Sequence, residues 1–396
     1  MDRSDFSFLV ARLERQAIRS PAGYAFKVAA LAVLGYLSLF VFAAAIVGCV
    51  WLSISVFLTG ELPVKLGGVL AALAVFGLVA LWTLVRALWI VDISEPAGLH
   101  ITRDQAPRLF DTIDDLRRKM GGVKVHSVSV SNQLSASILQ KPLWGVFGNY
   151  RNHLTIGLPL VAALSVDEFR AVLAHEMGHI TGSHGKFDAW IFRQRATWHA
   201  VASKFRESSN FFELIVFACY AWYAPYFHAY TFVLARTQEY DADRAAAEVT
   251  NPHTVGAALL KLELVARFLG EVFWKRLFDQ VSRVPAPPYM PYAAMPRAIR
   301  IAEKEWARRD WMQQGMRGAS HDDDTHPSLS ERLGALAVEA VMPKYQPEQS
   351  ALRLLEPIAP VLVKRFDDRW RADVLSEWKS RHAAHQAQAE PTRQAS

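Results

Sequence analysis

His175 and His179 stand four residues apart, with Glu176 beside the first. On a helix this spacing puts both imidazoles on one face, one turn apart, where they can reach a single metal ion. Glu176 then falls between them, placed to act on a water rather than on the metal. Two histidines, a third protein ligand and one open position make up a catalytic zinc site, so the segment points to hydrolysis with one zinc ion per chain.

The third ligand has three candidates. His184 follows closely, but an extended pattern of this kind needs its third histidine at position 185, where the chain has glycine. Glu239 lies in the run Arg236-Thr-Gln-Glu239-Tyr-Asp241-Ala-Asp243, on an expected second helix. A carboxylate from a second helix completes a His-His-Glu set. Asp243, one turn further, is placed to accept a hydrogen bond from a ligand histidine. The run directly follows an apolar stretch, which argues against a purely solvated acidic face. His326 is the third candidate.

These side chains need elements to hold them. Asp167 to His179 reads as the motif helix, with Ser165 as cap and Glu168 at the capping-box spacing; Leu164, Val172 and Leu173 supply packing. Upstream, residues 104–119 read as a helix, with Asp104 as cap and Leu109, Ile113 and Leu116 on one face. Gly121-Gly122 ends it. Residues 123–130 alternate as a strand does, and Leu154 to Gly157 reads as a second short strand. Residues 186–280 are mainly helical in pattern. Pro285, Pro287, Pro288, Pro291 and Pro296 then mark a loop. Asp322-Asp323-Asp324 reads as a solvated run. Residues 352–382 look helical, and the last dozen, rich in Ala and Gln, look disordered. The fold class is α+β, mostly helical, with a small sheet.

Of the 396 residues, 52% are hydrophobic and 21% charged, which suggests greasy segments joined to a polar domain. Residues 28–58 and 66–85 carry no charged side chain. Each is long enough to cross a bilayer core, and the turn-forming join between them makes a two-helix transmembrane hairpin. Arg3, Arg12, Arg15, Arg19 and Lys27 precede the first span, against Lys65 alone in the join. The positive-inside rule then puts the N-terminus, and the motif region with it, in the cytoplasm. Three parts follow: an N-terminal segment and anchor (1–96), a zinc domain (97–345), and a C-terminal helical segment with its tail (346–396). A single crossing by the apolar stretch 211–234 would part His175 from Glu239. That stretch is therefore expected as a helical element packed against the domain and the membrane surface. Cys49 and Cys219 form no motif. The net charge of +6 comes without a basic stripe interleaved with aromatics, which argues against nucleic acid.

Three motifs in order carry a resemblance: the segment around His175, the Arg236-Glu239-Ala242-Asp243 run, and Thr325-His326-Pro327 followed by Arg332. Together with the hairpin they resemble the HtpX-like and CAAX prenyl protease-like membrane zinc metallopeptidases, over about residues 97–335. The resemblance implies a zincin-like domain of the gluzincin kind, with His175, His179 and Glu239 as ligands of one Zn2+ and Glu176 as general base. It implies that Asp243 and Arg332 support the site and that His326 stabilises the oxyanion. It also implies an edge strand at Asn132 to Ser137, including Ser135 and Ala136, that holds the substrate backbone by strand addition. Here the segment departs from the usual Asn-Ala-Phe pattern. Peptide or protein substrates follow, membrane proteins among them, with a multi-pass location in a bacterial inner membrane and a role in membrane-protein quality control. The rival reading is a membrane-anchored binding or chaperone-like protein with a structural zinc; it expects Glu176→Gln to leave function intact.

Overall fold

The computed structural model describes residues 3–59, 98–142, 150–181, 211–308, 310–318, 326–343 and 349–394, with isolated residues between 68 and 82 and between 187 and 195. Two N-terminal helices come first, α1 (Arg3–Arg19) and α2 (Pro21–Thr59). α2 contains the uncharged stretch from residue 28 and is the one helix, among the described residues, long and apolar enough to cross a membrane. More than half of the expected second span at 66–85 falls outside the described residues.

The small sheet holds β1 (Leu99–Ile101), β2 (Ser127–Ser131), β3 (Ala136–Pro142) and β4 (Tyr150–Gly157) in the order β1-β2-β4-β3. β2 and β4 run parallel; β1 and β3 are antiparallel edge strands. Val128 and Val130 of β2 and Leu154 and Ile156 of β4 enter the core on one face, and Ser129, Ser131 and Thr155 are buried on the other. Helix α3 (Pro107–Lys119) packs Leu109, Ile113 and Leu116 into the same core. Short α4 (Leu158–Ala163) leads into the motif helix α5 (Val166–Thr181).

Helix α6 (Phe211–Val249) is unbroken for 39 residues and joins the apolar stretch 211–234 directly to the acidic run. Its apolar half packs against α1 and α2: Phe227, Phe232 and Val233 bury with Val10, Leu13, Tyr24 and Val28 in a cluster separate from the main core. The Tyr24 hydroxyl donates to the Tyr230 carbonyl at 2.7 Å, and Tyr223 donates to that of Leu31 at 2.8 Å. The expected helix therefore exists, and the same rigid rod carries Glu239. Helix α7 (Pro252–Phe268) follows, capped by Asn251, whose side chain accepts from the Thr254 amide. A π-turn (Leu269–Phe273), α8 (Trp274–Phe278), α9 (Pro291–Arg308), α10 (Trp311–Arg317), α11 (Leu329–Ala335) and α12 (Ala359–Gln394) complete the order. Ala351, Leu355, Leu362 and Phe366 of the C-terminal segment share the main core with the sheet and α5.

Several local expectations change. Asp104 does not cap α3; the helix begins at Pro107 behind Ala106, because proline at the first position needs no amide partner. The strand expected from 123 begins at Ser127, since β1 reaches only as far back as Val128. The short strand at Leu154 extends back to Tyr150, paired to both β2 and β3. Pro291 and Pro296 belong to α9 rather than to the loop, and the Asp367 carboxylate accepts the Tyr292 and Ala293 amides at its start. The tail is helical to Gln394, in keeping with the helix preference of Ala and Gln.

Candidate metal centre

The site is made where α5 crosses α6. Ser165 and Glu168 form the capping box at the start of α5: the Ser165 amide donates to Glu168 Oε2 at 2.7 Å, and the Glu168 amide to Ser165 Oγ at 3.3 Å. Glu168 is also held by Lys261 of α7 at 2.7 Å, an ion pair with almost no solvent exposure. One turn before the end of α5, Gly178 lies against α6. A Cβ there would stand 3.1 Å from the Ala242 Cα, so glycine permits the close crossing. This crossing sets the histidines of one helix against the carboxylates of the other.

His175 Nε2 and His179 Nε2 each lie 3.5 Å from an oxygen of Glu239, and 3.2 Å from each other. One ligand atom from each of the three residues falls within 4.8 Å of the others, the separation a single bound ion requires. Glu239 Oε2 is fully buried without a hydrogen-bond partner. His175 Nε2 at 3.5 Å and an Arg332 nitrogen at 3.6 Å are its polar neighbours, too distant for good hydrogen bonds, and a cation among them would satisfy the oxygen. The donor set of two imidazoles and one carboxylate therefore fits a zinc ion.

Behind the triad, His175 Nδ1 and Asp243 Oδ1 are 2.9 Å apart. Arg332 of α11 grips the same carboxylate with two donors, at 2.6 and 2.8 Å. A fork-to-carboxylate pair fixes orientation as well as charge. His326 Nδ1 lies 3.1 Å from Glu239 Oε1, while its side chain is 61% exposed at the mouth of the site. His184 lies outside the described residues, as do Asp322-Asp323-Asp324.

Electrostatics follow from this packing. Burial pushes the Glu176 carboxyl up to about 7, against the nearby positive charges. Burial opposes a charge on His175, but the Asp243 and Glu239 carboxylates facing its ring nitrogens outweigh it and hold its pKa at about 9. His179, buried beside a charged His175, falls to about 4. The Glu239 carboxyl overcomes its burial through His175 and His326 and stays well below the usual range. Asp243 is likewise held low by Arg332 and His175 despite burial.

A cavity of about 360 Å³ opens beside His175, Glu176 and Glu239. Asp243, His326 and Arg332 also line it, and the rest of its wall is apolar: Leu160, Val172, Val255, Ala258, Leu259 and Leu262. Leu134, Ser135 and Ala136 line its rim, where the chain enters edge strand β3. Asn132 sits outside the cavity lining, in the bend after β2. That bend lies so close to β4 that any Cβ at Gly157 would be 1.7 Å from the Gln133 carbonyl oxygen. The cavity walls on α7 were not foreseen from sequence; no motif marks them, because any apolar helix face looks alike there.

Residues 146–340 match the sequence profile of peptidase family M48. That stretch is similar to M48 peptidases, and the chain is a metallopeptidase. It is 26% identical over 309 residues to protease HtpX of Acinetobacter baylyi, covering 69% of this chain and 86% of that protein. The HtpX homologue of Gemmatimonas aurantiaca is 26% identical over 260 residues, covering 60% and 77%. The crystal structure of Ste24p from S. mikatae aligns with a TM-score of 0.35 at 18% identity, covering 78% of this chain and 67% of that one. The matched stretch of the metallopeptidase holds both histidines, Glu176, Glu239, Asp243, His326 and Arg332.

Proposed function

We propose that this metallopeptidase is a membrane-anchored, zinc-dependent endopeptidase in which Glu176 is the general base. The observation that carries the reading is the meeting of His175, His179 and Glu239 at one point beside a cavity that Glu176 also lines. His175, His179 and Glu239 would hold the ion. A zinc ion there supplies a Lewis acid that polarises the scissile carbonyl and makes water acidic near neutral pH.

The remaining chemistry belongs to the chain. Glu176, buried and raised to about 7, takes a proton from the attacking water and returns it to the leaving amine. Asp243 and Arg332 hold the His175 ring in one orientation. His326, at the mouth, offers a hydrogen bond to the oxyanion that develops on the substrate carbonyl. The rim at Ser135 and Ala136 offers backbone groups to an extended peptide, which adds as a strand beside β3. Apolar side chains of α7 line one wall of the cavity beside the reacting atoms.

Helix α2 would anchor the chain in a membrane, and the uncharged sequence 66–85 is long enough for a return crossing. With that return crossing, the arginines before α2 favour a metallopeptidase part on the cytoplasmic side of a bacterial inner membrane. Substrates are peptides and proteins, membrane proteins undergoing quality control among them. Treatment of the detergent-purified protein with 1,10-phenanthroline should abolish casein cleavage, and added zinc should restore it. Cleavage that persists after the metal is stripped would contradict the reading.

A further inference from the structure

Helix α1 has one face committed and one face free. Val10, Leu13 and Ala17 are buried against α6 and α2. Glu14, on the committed side, lies 3.3 Å from Arg236, which also holds Glu331 at the start of α11 at 2.9 Å. The helix is thus fastened at a fixed orientation to the rod that carries Glu239.

The opposite face presents Phe8, Ala11, Arg12, Arg15, Ile18 and Arg19, which cluster on about a third of the circumference at 100° per residue. Phe8 is 74% and Ile18 81% exposed. Arg12, Arg15 and Arg19 are exposed too, and none has an ion-pair partner among the described residues. Of the helix's acids, Glu14 is taken by Arg236 and Asp5 stands in the first turn. An amphipathic helix with arginines and exposed apolar side chains interleaved on its free face has the composition of an interfacial helix.

Its place in the chain names the partner. α1 ends at Arg19, with Ser20 alone between it and α2, and the uncharged stretch starts at Val28. At 1.5 Å per residue the two points are about 14 Å apart, just beyond a headgroup layer of about 5–8 Å, and α1 turns back from there: Phe6 meets His228 and Phe232 at the level where Tyr24 meets Tyr230. Phe26, 74% exposed, and Lys27 continue the same mixture down to the first uncharged turn.

We infer that the free face of α1 docks on anionic lipid headgroups, with the three arginines on phosphates and Phe8 and Ile18 at the acyl boundary. The inference rests on the membrane reading of α2. Three cations near an anionic surface shift the docked-to-free ratio on the order of a hundredfold, and salt screens this attraction.

The test is a nitroxide on Ala11→Cys in a Cys49→Ser, Cys219→Ser full-length chain, reconstituted in phosphatidylcholine or in phosphatidylcholine with phosphatidylglycerol. A second label at Leu37→Cys reports the anchor by itself. The expected result is a Leu37 label immersed in both bilayers. The Ala11 label moves from water to the headgroup–acyl boundary only with phosphatidylglycerol, and the shift is lost in Arg12→Gln/Arg15→Gln/Arg19→Gln. An Ala11 label in water in both bilayers, or an unchanged shift in the triple variant, overturns the inference. So does an Ala11 label shielded from both water and lipid, which marks a protein partner instead. A Leu37 label in water overturns the membrane reading itself, and no arm of the test depends on cleavage.

Discussion

Asp243 faces His175 on one side and Arg332 on the other, and its value lies in holding both. Asp243→Asn keeps the shape but loses the charge that offsets Arg332 and orients the imidazole. Zinc affinity should fall ten- to a hundredfold, measured by competition with a chromogenic chelator. An unchanged affinity would remove Asp243 from the account. At this scale the sequence is most readable where chemistry fixes spacing. His175, Glu176 and His179 lie within one turn and a half of one helix, and a helix needs no tertiary knowledge to place them. Asp243 is legible only relative to Glu239, one turn away. The grip of Arg332 on Asp243, 89 residues apart, is set by how α11 returns to α6 and leaves no local trace.

Between elements, α5 is seated by two contacts of different kinds. Gly178 admits α6, and Lys261 ties the capping carboxylate of Glu168 to α7. Lys261→Met leaves Glu168 buried without its partner, and removing one member of such a pair costs about 3–5 kcal/mol. Denaturant unfolding measures this; a cost below about 1 kcal/mol would show that the pair is replaced by water. Gly178→Val forces α5 and α6 apart, with a stability loss of about 1–3 kcal/mol. It should also lower zinc content, because the histidines retreat from Glu239. Zinc retained in full alongside a folded variant would mean that the helices re-pack without moving the site. The Ser165–Glu168 box and the Gly121-Gly122 stop were readable, since each uses residues next to one another. The start of α3 was misread because Asp104 offers a cap while Pro107 offers a better first position. The tail was misread because composition suited a disordered segment and a solvated helix equally well.

Taken whole, the molecule has two packed regions that share one helix. The sheet, α5, α7 and the C-terminal segment form the main core, while α1, α2 and the apolar half of α6 form the second. Helix α6 runs from one to the other, which is how a strongly apolar stretch and a buried metal-type carboxylate occupy neighbouring turns. The sequence showed the apolar stretch but not its continuity with the Glu239 run, because helix length past Pro225 is decided by packing rather than by local preference. The central claim for the whole is a zinc site whose ligands and base have separable roles. It is tested most directly by measuring zinc content and casein cleavage together on wild type, Glu176→Gln and Glu239→Ala. The account predicts zinc near one per chain in the first two, cleavage reduced by about 10²–10⁴ in Glu176→Gln, and zinc lost in Glu239→Ala. Full zinc in Glu239→Ala, or cleavage by Glu176→Gln equal to wild type, would contradict it.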